Sequence, residues 1–168
     1  VLLQDSVQRF MQNDYEFALR QKIIKSDTGF SAAIWRQFAD LGWLALPFAE
    51  EVGGIGGGPI DTMILMEAFG KGLVVEPYLS TVLLAGKCLE LGGSSAHKEG
   101  PLADIIAGNC LAALAFVEPQ ARFNLNDVTT TATAVGSGYR LNGFKGVVLG
   151  GPSAQLVVVP ARTSGAQR

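Results

Sequence analysis

The chain has 168 residues, enough for one ordinary domain or two small ones. Its 48% hydrophobic content allows roughly 70% of the unfolded surface to be buried, which excludes a disordered chain. Only 17% of residues are charged and the net charge is −2, which excludes a nucleic-acid footprint and leaves part of the surface to meet something other than water.

The chain opens at Val1 with neither a methionine nor a basic-then-apolar signal segment, so it reads as a piece of a longer, cytoplasmic protein. Its longest apolar runs, Ile64 to Met66 and Leu111 to Val117, fall far short of the ~20 residues that span a bilayer. Leu3, Val7, Phe10, Met11 and Ala18 recur with helical spacing and share one face, as do Ile34, Trp35, Phe38 and Leu41. Ser31 is placed to cap the second of these helices, Phe30 to staple onto Trp35, and Gly42 to end the stretch.

Pro47 to Pro59 reads as a loop rich in glycine, with Pro59 as the first residue of a helix reaching about Lys71. A further helix is expected after Pro77, capped by Ser80 or Thr81 and closed at Gly92-Gly93, and Pro101 to Ile106 adds a last turn ended by Gly108. Of 28 charged side chains only seven follow Gly108, and there the pattern turns to strands. Leu111 to Val117, Thr129 to Val135, Tyr139 to Leu141, Phe144 to Val148 and Leu156 to Val159 are the candidates. Asn142-Gly143 predicts the hairpin turn between the third and fourth of them. Helices segregated before strands define an α+β chain: an all-α N-terminal domain over residues 1–108, then the beginning of an antiparallel β domain over 109–168.

Local chemistry names no catalytic group. The glycines from Gly53 to Gly58 follow a helix rather than a strand, and Pro59 stands where a dinucleotide fingerprint counted from Gly54 needs its last glycine. A tight interhelical loop is the better reading. Gly70-Lys71-Gly72 lacks the remainder of a phosphate loop, so Lys71 reads as a solvated residue at a helix C-terminus. Cys88, Cys110 and the single His97 leave no metal ligand set and read as two half-buried reduced thiols and an exposed structural histidine. Glu50, Glu51, Asp61 and Glu67 read as surface charge, because their spacings do not bring carboxylates face to face.

Four stretches in register say more. Leu41 to Pro47 followed by Glu50-Glu51-Val52-Gly53-Gly54, then Leu114 to Pro119, and then Gly138 to Lys145 together resemble the acyl-CoA dehydrogenases over nearly the whole chain. The resemblance implies a helical domain, a middle β domain that cradles FAD, and a C-terminal four-helix domain beyond this sequence. It also implies that a glutamate from that last part removes the α proton of an acyl-CoA while the flavin N5 accepts the β hydrogen as hydride, so this chain holds no catalytic residue. The family's T-E-P-G-x-G-S-D loop falls on Val117 to Asn124, and its aromatic-x-Thr segment on Val147-Val148-Leu149.

By that correspondence Leu114, Phe116, Val117, Phe123, Val147 and Leu149 are the cofactor-binding candidates, and Phe123 and Arg122 the substrate-binding ones. Val117 and Leu149 stand where hydroxyls usually meet the flavin, so a bound flavin must find backbone or other donors there, each unpaired polar atom costing about 1–3 kcal/mol. Arg122 could clamp a phosphate of cofactor or coenzyme A, or pair with Asp127. Gly72 to Leu79, Glu118 to Phe123 and Val147 to Gly151 look most like the small subunits of pimeloyl-CoA dehydrogenases. That likeness implies a hetero-oligomer with a related subunit, or a non-catalytic partner chain, beside the alternative of a homo-oligomeric enzyme.

Overall fold

The computed structural model describes residues 2–165. Helix α1 (Leu2–Asn13) buries Val7 and Phe10, and the chain then breaks before α2 (Phe17–Ile23). Ala18 therefore starts a new helix and is exposed, off the face on which the spacing places it. In α3 (Ala32–Asp40), Ser31 caps as expected, its Oγ accepting from the Ile34 amide at 3.3 Å. Ile34, Trp35 and Phe38 are buried, whereas Leu41 falls just past the helix end and is exposed.

The glycine-rich loop packs as a tight interhelical connection. A side chain on Gly54 would lie 2.0 Å from the Phe48 carbonyl oxygen, a separation only glycine permits. Lys87 donates to the Pro47 carbonyl at 3.0 Å, Glu90 accepts from the Ala49 amide at 2.8 Å, and Lys87 and Glu90 pair with each other. Helix α4 (Pro59–Gly72) begins at the expected proline, with Asp61 accepting from the Gly58 amide at 2.9 Å.

Next come α5 (Leu79–Gly86), whose turns are of the wide π type, and α6 (Lys87–Gly92). Ser80 and Thr81 do not cap α5, contrary to expectation. Both are buried within it: Ser80 donates back to the Pro77 carbonyl, and Thr81 turns to the first strand. Three short helical turns, Ser95–His97, Lys98–Leu102 and Ala103–Ile106, complete the helical part.

Its core is an aromatic cluster. Phe38 stacks on Phe69 with ring centroids 4.9 Å apart, Phe10 meets Trp43 edge-on at 5.2 Å, and Tyr78 meets Phe69 edge-on at 5.3 Å while donating to the Trp43 carbonyl at 3.0 Å. Burial pushes the Tyr78 hydroxyl pKa well up. Glu76, also buried, accepts from the Tyr15 hydroxyl at 2.7 Å and the Ser31 amide at 3.2 Å, which pins the segments around α2 and α3 to the start of α5.

Strand β1 (Ala112–Leu114) runs parallel to β4 (Leu156–Val158), Ala113 opposite Val157. The antiparallel pair is β2 (Thr131–Val135) with β3 (Gly138–Asn142), Ala132 opposite Leu141. Two sequence expectations fail here. The hairpin turns at Gly136-Ser137, where Gly136 has φ +60°, not at Asn142-Gly143. Phe144 to Val148 is no strand: Gly143 lies so close to Thr130 that a Cβ would meet its Oγ1 at 2.5 Å, and the residues after it run beside Val117 instead of back along β3. Thr81 joins β1 to the helices, its Oγ1 donating to the Ala112 carbonyl at 3.0 Å and accepting from the Ala112 amide at 3.2 Å.

Phe38 is fully buried at the centre of the aromatic cluster. Replacing it by alanine is expected to destabilise the chain by about 3–5 kcal/mol, measured as a lower urea midpoint with an unchanged m-value.

Candidate functional site

The site is built on the segments that leave β1 and β3. After β1 the chain passes Ala115, whose amide donates to Val158 at 2.9 Å, and reaches Phe116 and Val117, both half-buried. After β3 it runs through Lys145 to Leu149, and the Gly146 amide donates to the Val117 carbonyl at 2.8 Å. This single bond brings the two candidate cofactor segments side by side. Leu114 and Phe116 sit half-buried on the inner segment, while Val147 is 73% exposed and Leu149 50% exposed on the outer one.

Glu118 organises this region, and it is fully buried. Its Oε1 accepts from the Lys145 ammonium at 2.6 Å, the Thr130 hydroxyl at 2.7 Å and the Thr130 amide at 3.1 Å. Its Oε2 accepts from the Thr129 amide at 2.7 Å, the Gln120 side-chain amide at 2.8 Å and the Thr129 hydroxyl. Burial by itself would raise the carboxyl pKa; the bond from Lys145, followed by those from Thr129 and Thr130, outweighs it and holds Glu118 ionised far below the usual carboxylate range. Gln120 also donates to the Asp127 carbonyl at 3.2 Å, so both ends of the loop between Glu118 and Thr129 meet at one carboxylate.

That loop carries Arg122 and Phe123. Arg122 takes a left-handed backbone, φ +48°, and is exposed; Phe123 is 99% exposed. The six cofactor candidates and Arg122 thus occupy one open shelf made of neighbouring segments rather than a closed cleft. The larger clefts lie elsewhere, one of 450 Å³ between α1 and α4 and one of 660 Å³ between the start of α3 and Pro152 to Gln155.

The residues present fit a flavin through their backbone. Among the described residues, the amides of Val117, Val147 and Leu149 donate to no acceptor. Unpaired donors on an apolar shelf can serve the polar atoms of a planar heterocycle where side-chain hydroxyls are missing. The site's organisers, Glu118 and Lys145, lie within the motifs that carry the family resemblance, but no spacing rule singles them out. Their signal is an isolated carboxylate and an isolated ammonium in the charge-poor part of the chain, a combination that favours mutual burial.

The remaining candidates stay apart from the shelf. His97 is exposed and accepts from the Ser94 amide at 3.2 Å. Cys88 is exposed rather than half-buried, whereas Cys110 is half-buried, with burial and then the Asp104 charge pushing its thiol pKa up. Glu67 pairs with Lys71 at the surface at 2.6 Å. No group of three or more metal-binding side chains and no helix long and apolar enough to cross a membrane occurs among the described residues.

Residues 1–109 match the family model described as the acyl-CoA dehydrogenase N-terminal domain. The chain belongs to the acyl-CoA dehydrogenase family. It is 32% identical over 131 residues to the mitochondrial isovaleryl-CoA dehydrogenase of Pongo abelii, a match covering 77% of this chain and 31% of that protein. Among solved structures, the ChsE4-ChsE5 complex from Mycobacterium tuberculosis superposes with a TM-score of 0.82 at 27% identity, covering 95% of this chain and 42% of that one. The FAD complex of PigA superposes with a TM-score of 0.81 at 27% identity, covering 98% and 43%. The chain spans between 31% and 42% of the length of the curated relatives it matches.

Because the folded-state pKa of Glu118 lies below its unfolded value near ~4.3, the unfolded chain takes up the proton first. The stabilisation is complete above that pH and is lost as pH falls towards the folded value. Urea unfolding from about pH 5 to about pH 2.5 is expected to show falling stability, with a flatter fall for Glu118→Gln. Lys145→Met strands the buried carboxylate and is expected to cost about 3–5 kcal/mol at neutral pH.

Proposed function

We propose that residues 1–108 form the helical N-terminal domain, and residues 109–168 the opening of the β domain, of a flavin-dependent acyl-CoA dehydrogenase. The observation that carries this reading is the shelf. Two segments joined at Val117 and Gly146 present three unpaired amides beside exposed apolar side chains, and the matching region of a solved relative is part of an FAD complex.

On this reading Leu114, Phe116 and Val117 hold one side of the flavin and Val147 and Leu149 the other. The bound flavin supplies hydride acceptance for α,β-desaturation of an acyl-CoA thioester. Phe123 excludes water beside the thioester, and Arg122 offers its guanidinium to a phosphate of the coenzyme. The base belongs to a part of the protein outside this chain. A cytoplasmic role in fatty-acid metabolism, and assembly as an oligomer, complete the proposal. The apolar side chains exposed along β3 and after it, among them Tyr139, Leu141 and Phe144, are surface that such assembly would cover.

A second reading has its own support. Val117, Val147 and Leu149 replace the hydroxyls and ring usual at the flavin, as in a non-catalytic partner subunit that completes a neighbour's site. A related solved structure is a complex of two named chains, ChsE4 and ChsE5.

Mixing the chain with FAD and passing it through a desalting column separates the two. Retained yellow absorption is expected from the flavin-binding reading, and a colourless protein that cannot be reconstituted supports the partner reading. Dehydrogenation of an acyl-CoA by the 168-residue chain alone is expected to be undetectable.

A further inference from the structure

We infer that Glu118, through its bond to Lys145, is the positioning residue of the cofactor shelf: one buried carboxylate sets the spacing of the segments that would hold the flavin and of the loop that carries Arg122 and Phe123. The inference rests on the flavin reading above and deepens it.

Three stretches far apart in sequence end on the two oxygens of this side chain. Gln120 begins the loop, Thr129 and Thr130 close it, and Lys145 arrives from beyond β3. Lys145 is nearly as buried as its partner, its side chain only 8% exposed. Neither group can relax into water, so the geometry of the pair is stiff.

One residue separates each member of the pair from the shelf. Val117 precedes Glu118 and Gly146 follows Lys145, and these two neighbours are joined by the 2.8 Å bond from the Gly146 amide to the Val117 carbonyl. With Glu118 and Lys145 in place, the free amides of Val117, Val147 and Leu149 have a defined separation; with the pair broken, only that one bond joins the segments. The loop depends on the same carboxylate more completely, because both of its ends are bonded to Oε2. Arg122 and Phe123 themselves are exposed and have no burial to hold them.

The pair touches neither α5 nor the aromatic cluster through any of these bonds, so its loss should loosen the shelf while leaving the helical core intact. This separates a positioning role from a general requirement for folding.

The test is FAD titration, followed by quenching of flavin fluorescence, against the 168-residue chain and three variants. Glu118→Gln breaks the pair from one side. Glu118→Gln with Lys145→Met removes both charges, so that none stays buried alone. Thr129→Val deletes one hydroxyl donor, keeps both charges, and supplies a folded reference where a charge variant does not fold. The expected result is FAD affinity reduced about tenfold or more in whichever charge variants fold, and about two- to threefold in Thr129→Val, with circular dichroism and melting of the helical part unchanged. Wild-type affinity in every folded variant would overturn the positioning role while leaving the flavin reading intact. Failure of the unaltered chain itself to bind FAD would overturn the flavin reading and the inference with it.

Discussion

A carboxylate and an ammonium, each taken out of water, determine the shape of the β part of this chain. Burying Glu118 is unfavourable unless its oxygens are fully bonded. Its six hydrogen bonds meet that demand by drawing Gln120, Thr129, Thr130 and Lys145 to one point. The constraint propagates outward from there. Lys145 carries Gly146 to Val117, and the Thr130 main chain exchanges bonds with Arg162, which lines up β2 with the last described stretch.

The helical part rests on different physics. Its stability comes from stacked and edge-on aromatic rings that bury large apolar area with defined geometry, and polar groups appear inside it only where they join segments. Tyr15, Ser31 and Glu76 are one such junction, and Thr81 against Ala112 is the other. The latter matters for the site, because it fixes where β1 begins and hence where Phe116 and Val117 emerge. A rigid helical base, a short strand docked on it and a polar clamp at the strand's exit place the shelf.

Local chemistry makes much of this legible. Ser31 and Pro59 start helices because a cap and a fixed φ act within one turn, and the aromatic faces of α1 and α3 follow from helical spacing. The hairpin is not legible in the same way. Gly136-Ser137 and Asn142-Gly143 both offer turn chemistry, and the choice falls to Glu118, which draws the chain after Gly143 towards Val117. Ser80 and Thr81 look like caps for the same reason: a hydroxyl near a helix start suits that role, and only the presence of Ala112 across the interface gives Thr81 a better partner. The site residues come from the family resemblance, whereas their organiser, a buried ion pair between distant positions, leaves no periodic trace.

The most direct test of this account is residue-resolved amide hydrogen exchange on the chain. The clamp predicts that the amides of Thr129, Thr130 and Gly146, which are bonded to Glu118 and to Val117, exchange far more slowly than those of Val147 and Leu149, although all five lie outside regular strands and helices. Exchange of Thr129, Thr130 and Gly146 as fast as that of Val147 and Leu149 would contradict the claim that one buried carboxylate holds the shelf together.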